Sequence, residues 1–309
     1  MARYGFLSHD INVLAMAGLE ILLLVLIIAA VLNFLDASLG MGYGTTLTII
    51  LFLMGFRPDE VVFPILVSGV IAGFVSSLFH IIFKNLEVEG EKRLRLINIS
   101  LDQYNQEIGE NIKFSLESKS MSLDTKIILV FTICGIISAV LGAMLSTILY
   151  SIPESDLFIK IYIAILVLVL GIIILTFKGR TIKFAFSKII IIGGLAGLNK
   201  SISGGGFGPI AVTGQMMVGR EGKSAIASTS LSEAIISISG IVSYLLTNIL
   251  LGGSAISYEL IPWLTIGACI TSPFASFTTK KLDKDKFKNY IAVGLIVLAG
   301  VILVRLLFP

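Results

Sequence analysis

Apolar residues run in long blocks separated by short polar interruptions, and the block lengths sort the chain into elements. The runs 13–39, 60–84, 127–150, 158–177, 224–250, 259–279 and 289–308 match the ~20 residues a helix needs to cross a hydrocarbon core. Three more, 45–56, 188–203 and 209–219, are shorter. The first and last of these follow glycine-rich turns, and at ~1.5 Å per residue they reach roughly half to two-thirds of the way through a bilayer. Short membrane segments interrupted by Gly or Pro are where membrane proteins build mid-membrane binding sites. Residues 85–126 break the pattern: they hold eight acidic and six basic residues with little apolar content, which reads as a soluble insertion. The pattern predicts an all-α polytopic membrane protein with broken or re-entrant helices.

The 309 residues are 56% hydrophobic and 14% charged, and mean hydropathy is +0.98. A soluble domain carries about 25% charged residues and cannot hide so much apolar surface, so the lipid bilayer is the expected solvent. The net charge of +3 sits in short loops, which is a topology signal and not a nucleic-acid footprint. Cys134 and Cys269 lie inside apolar runs, and His9 and His80 are far apart. Neither a disulfide framework nor a metal site is expected, and no cofactor. The run Val13–Leu35 is too long for a signal-peptide core and reads as the first membrane element.

Shifting the chain by 164 residues places Gly40, Gly42, Gly44 and Gly55 on Gly204, Gly206, Gly208 and Gly219, Tyr43 on Phe207 and Ser68 on Ser232, without a gap. This registers as an internal duplication. The expected organisation is a first membrane repeat over 13–84 and 127–177, the insertion 85–126, and a second repeat over 188–308. Each repeat is a broken hairpin followed by three spans. Loops 178–188 and 280–288 are rich in lysine and arginine, whereas 151–157 and 251–258 contain none. The positive-inside rule puts the basic loops in the cytoplasm. Counting crossings then puts 85–126 inside, both termini outside, and the repeats in opposite orientation; Arg3 runs mildly against the rule. Inverted repeats with broken helices are the architecture of secondary transporters.

The two turns are Leu39-Gly40-Met41-Gly42-Tyr43-Gly44-Thr45-Thr46 and Ser201-Ile202-Ser203-Gly204-Gly205-Gly206-Phe207-Gly208-Pro209. Irregular backbone inside a bilayer survives only where protein or water satisfies it. Pro209 suits a first helical turn and Thr45 or Thr46 a helix start. Both short helices would begin deep in the membrane with free N–H groups and positive dipole ends, a pairing that binds anions. Close helix packing through small residues is the competing reading.

The second turn and its continuation (Gly197 to Pro209, Gly219, Lys223-Ser224-Ala225, Ser228-Thr229-Ser230) resemble the TauE/SafE sulfite exporter family, also called the toluene sulfonate uptake permease group. The first half matches through Gly42-Tyr43-Gly44, Gly55-Phe56-Arg57-Pro58, His80 and Lys84-Asn85. It departs where Met41 and Tyr43 replace glycines and Thr45-Thr46 replaces a proline. The resemblance covers the chain except 1–12 and 85–126. It implies cell-membrane transport of a small sulfur oxyanion or organosulfonate, and no enzymatic activity.

A charge at membrane depth is costly and marks function by default. Lys200 precedes the second turn, and the repeat places Asp36 at its counterpart, which makes Lys200 the expected partner of Asp36. The substrate-binding set is Lys200, Ser201, Ser203, Gly204, Gly205, Gly206, Gly208, Gly42, Gly44, Thr45, Thr46 and Gln215. Asp36 and Glu233 are the coupling or gating residues, with protons the coupling ion. A packing ion pair at Lys200, and a Glu233 carboxyl bonded to neighbouring serines, are the bland alternatives. Ser228, Ser232, Ser239 and Ser243 share one helix face, suited to packing or to a polar pathway. His80 and Lys84 are candidates for an anion-attracting inner vestibule. An intramembrane hydrolase using Ser203 with His80 is the rival from another class; the duplicated turn favours transport, since an enzyme needs one site.

Overall fold

The computed structural model describes residues 3–40, 43–86, 122–150, 152, 155–176, 185–251, 258–279 and 284–307. Among them are ten helices and no strand: α1 (Arg3–Leu39), α2 (Tyr43–Leu53), α3 (Pro58–Ile82), α4 (Leu123–Tyr150), α5 (Ser155–Thr176), α6 (Phe186–Ser203), α7 (Phe207–Met217), α8 (Gly222–Leu251), α9 (Leu260–Thr278) and α10 (Lys284–Leu307). Six are long and apolar enough to cross a membrane. Their outward faces are aliphatic, as Ile133, Ile137 and Leu141 on α4 illustrate at 52–60% exposure, which is a surface for lipid rather than water. Most of the insertion, the basic loop 178–184 and residues 280–283 lie outside the described residues.

The packing repeats in pairs. Helix α1 lies along α9 as α6 lies along α4, and α3 contacts α9 as α8 contacts α4, while α3 meets α8 and α5 meets α10. The 164-residue shift carries α1 onto α6, α2 onto α7 and α3 onto α8, while α4 and α5 correspond to α9 and α10 by their order along the chain. The two halves of the chain interlock, because α4 packs on α6 and α8.

Local chemistry repeats too. Gly40 and Gly204 take left-handed φ angles of +76° and +73°, and Gly55 and Gly219 take +100° and +87°. At Gly55 the N–H of Phe56 reaches the Leu51 carbonyl at 3.0 Å; at Gly219 the N–H of Arg220 reaches that of Gln215 at 3.1 Å. These glycine-terminated ends fix α2 and α7 at 11 residues each, about 16 Å long.

The two chain breaks touch backbone to backbone. A Cβ on Gly205 would strike the backbone of Gly44 and Thr45, and one on Gly44 would strike that of Gly204 and Gly205. The Thr48 hydroxyl lies 2.7 Å from the Gly44 carbonyl and 2.8 Å from that of Ser203, so one side chain bridges both breaks.

The far end of α7 is tied down separately. The Arg220 guanidinium donates to Asp124 at the start of α4, to Gln215 and to Ser228, and the Arg220 and Asp124 side chains are 5% and 11% exposed. Burial lowers the Arg220 pKa to about 10, which leaves it charged at neutral pH.

Two stability effects follow. Gly205→Ala is expected to cost about 3 kcal/mol or more through overpacking against backbone that cannot yield. Gly194→Ala, facing open space, should stay within about 0.5 kcal/mol; thermal unfolding of the detergent-purified protein compares them. Arg220→Ala removes the guanidinium shared by Asp124, Gln215 and Ser228 and should cost about 3–5 kcal/mol. Arg220→Lys recovers little of this, because an ammonium cannot span three partners; the same unfolding assay measures both.

Candidate functional site

At the second break α6 ends on the left-handed Gly204, and α7 begins after Gly206, also left-handed at φ +83°. The Ser203 hydroxyl donates to the Asn199 carbonyl at 2.8 Å and accepts the Gly205 N–H at 3.2 Å. It therefore shapes the turn. Asn199, one residue before Lys200, accepts a hydrogen bond from the Tyr162 hydroxyl of α5, a partnership that residue spacing does not reveal.

Lys200 is fully buried, with its ammonium 2.6 Å from Glu233 Oε1 on α8. The side chain crosses α3 at Gly69, where a Cβ would stand 3.3 Å from the Lys200 Nζ. The expected link from Lys200 to Asp36 is replaced by this pair, since the lysine extends toward α8. Glu233 in turn binds the lysine through its carboxylate; the neighbouring Ser237 hydroxyl bonds only the Glu233 backbone carbonyl.

Asp36 finds a different partner. Its Oδ1 accepts the Tyr43 N–H at 3.5 Å, and a Cβ on Gly208 would lie 3.1 Å from the same oxygen. The carboxylate thus faces the first turns of both α2 and α7, where unpaired N–H groups and dipole ends favour negative charge. Asp36 sits where an anion would sit.

Thr45, in the first turn of α2, is 2% exposed and its hydroxyl has no hydrogen-bond partner. Its methyl faces Gly206, so an unsatisfied hydroxyl lies beside both helix starts. Ser201 is fully buried with an unpartnered hydroxyl, near Gly240 of α8. Thr46 is buried in the same turn as Thr45, and Gly42 lies outside the described residues. Gln215 belongs elsewhere: its amide bonds Thr229, Ala225, Ser228 and Arg220, eight residues from the α7 start and so about 12 Å away. Lys200, Ser203, Gly204, Gly205, Gly206, Gly208, Gly44 and Thr45 are brought together with Asp36 and Glu233; Gln215 is not.

His80 is fully buried rather than facing an aqueous vestibule. Its Nε2 donates to the Ala37 carbonyl at 3.1 Å and its Nδ1 faces the Asn85 amide at 3.0 Å. The Thr279 hydroxyl reaches the same Ala37 carbonyl at 3.2 Å, so this cluster holds the end of α1. The Ser203 hydroxyl is committed to the Asn199 carbonyl and the His80 nitrogens to Ala37 and Asn85, which separates the two halves of the rival nucleophile–base pair. Ser232 and Ser239 bond carbonyls on their own helix three or four residues back, the pattern of close helix packing.

Between α1, α3 and α8 a cavity of ≈ 20 Å³ is lined by Asn33, Asp36, Tyr43, Ser76, Ser230 and Glu233, with Ala37, Gly69, Ala72 and Gly73 as floor. It holds about one water molecule.

Among curated proteins, none matches this chain. The family model of the sulfite exporter TauE/SafE matches residues 116–302, more than half of its length and most of the second repeat, including the complete second break. The matched stretch carries Lys200, Glu233 and the Gly204–Gly208 turn. On that match the chain belongs to the sulfite exporter TauE/SafE family.

Proposed function

We propose that this protein is a secondary transporter that exports a small sulfur-containing anion by alternating access, holding it between the first turns of α2 and α7 and Lys200. The observation that carries this reading is that every strong anion donor at the junction faces one of the chain's own carboxylates. Glu233 occupies Lys200 at 2.6 Å, and Asp36 occupies the two helix starts. Both act as internal stand-ins for the substrate.

An arriving anion competes with them. Two carboxylates and one ammonium give the junction a formal charge of −1, so a further anion is repelled unless a carboxylate is neutralised. Protonation of Glu233 frees Lys200 for the substrate, and reformation of the pair expels it. Anion and proton thus bind together, and inverted orientation of the interlocked repeats would let the junction open to either side in turn. The family's name supports sulfite as the first substrate to test.

The test is thermal stabilisation of the purified protein by sulfite, sulfate, thiosulfate and sulfoacetate, since a ligand of the folded state raises its apparent stability. Sulfate, whose charge is constant across the range, serves for the pH arm. Stabilisation is expected to strengthen as pH falls, because anion and proton bind together. Glu233→Gln should make it pH-independent, and Lys200→Met should abolish it. Anion stabilisation that ignores pH in the unaltered protein, or survives Lys200→Met, would rule the mechanism out. Lys200→Ala should also lower stability itself by about 3–5 kcal/mol, because the largely buried Glu233 carboxylate loses the ammonium that pairs with it.

A further inference from the structure

We infer that the cavity between Asp36 and Glu233 is a binding site for one monovalent cation of sodium size, a site distinct from the anion donors around it. The inference rests on which hydrogen-bonding atoms are spent and which remain. The Asn33 amide nitrogen donates to the Ala268 carbonyl at 2.7 Å and to the hydroxyls of Thr271 and Ser272. A carbonyl only accepts, so this fixes the amide orientation and leaves Oδ1 of a side chain that is 4% exposed without a donor. The Ser230 proton goes to the Ile226 carbonyl at 3.1 Å. Ser76 is 3% exposed; because the Ser276 proton goes to the Ser76 carbonyl, the Ser76 proton is directed at the Ser276 oxygen, 3.5 Å away.

Each of these lining hydroxyls therefore has its proton engaged elsewhere and keeps lone pairs to offer. Asp36 and Glu233 each engage one oxygen, with Tyr43 and Lys200 respectively, and keep a second. Oxygen acceptors from α1, α3 and α8 line part of the space, beside Ala37, Gly69, Ala72 and Gly73. That is unsuited to an anion and suited to a hard cation.

Size and charge narrow the class. A space of ≈ 20 Å³ admits one ion without its water shell. With Lys200 counted, a monovalent ion brings the formal charge from −1 to zero, whereas a divalent one overshoots. No group of three or more His, Cys, Asp or Glu occurs among the described residues, so transition metals lack ligands. A proton needs a carboxylate alone; side-chain oxygens from three helices lining part of one space offer a cation several ligands.

The test needs no oxyanion, so it stands apart from the transport reading. Thermal unfolding of the purified full-length protein is measured in sodium, potassium and choline chloride at matched ionic strength and pH. Sodium is expected to raise the unfolding temperature saturably, with potassium and choline ineffective. Asp36→Asn should remove the effect. Ser76→Ala, which leaves both carboxylates and the lysine pair in place, should raise the half-saturating sodium concentration by roughly tenfold, and it keeps the test decisive if Asp36→Asn does not fold. Equal unfolding temperatures in the three salts, or a sodium response unchanged in both variants, would overturn the site. Sodium stabilisation without any oxyanion effect would support the site and count against the transport reading; the reverse pattern would do the opposite.

Discussion

A helix that stops inside a bilayer leaves carbonyls at one side of the break and N–H groups at the other, and lipid satisfies neither. This chain breaks its helices at two glycine turns, and each break is packed against the other. Gly44 and Gly205 allow the two backbones to meet without side chains between them, while Thr48 hydrogen-bonds across the junction. The interlocking of α4 with α6 and α8 holds the halves together around that contact. Everything at the candidate site inherits its position from it: the starts of α2 and α7, Lys200 in the last turn of α6 and Asp36 in the last turn of α1.

The duplication supplies symmetric backbone and asymmetric charge. The shift that superimposes Gly40 on Gly204 brings an acid onto a base, Asp36 onto Lys200. One break therefore ends in negative dipole plus carboxylate, the other in a carbonyl end countered by an ammonium. Glu233 adds a third charge between them. Burial of such a trio is expensive unless each member is paired, and the pairing here is complete only through helix ends and one ion pair. A junction balanced in this way responds to any incoming charge by exchanging partners.

Much of this was legible in the sequence. The runs of apolar residues located every described helix, with most ends close to the observed ones and α1 starting well before its predicted run, and the glycine register pairs the left-handed turns at Gly40 and Gly204 and at Gly55 and Gly219. The family resemblance drawn from the Ser203–Pro209 turn agrees with the match over residues 116–302. The partner of Lys200 was not legible: the repeat suggests its counterpart Asp36, whereas the lysine reaches past Gly69 to a helix 33 residues onward. Gln215 was misplaced because proximity along the chain hides the two helical turns that carry it to the Arg220 cluster. The Arg220–Asp124 pair joins residues 96 apart, with no shared periodicity to signal it. Asn33 and Asn199 are single amides inside apolar runs, and a lone polar side chain in such a run is the signal that marks them.

The measurement that bears most directly on the anion site is an experimental structure determined in selenite, a heavier analogue of sulfite, with the selenium located by its anomalous signal. The account requires one peak within hydrogen-bond reach of the Lys200 ammonium and the first turns of α2 and α7, with Glu233 drawn away from the lysine. A peak confined to the protein surface, or a selenite-bound structure in which the Lys200–Glu233 pair stays intact, would contradict it.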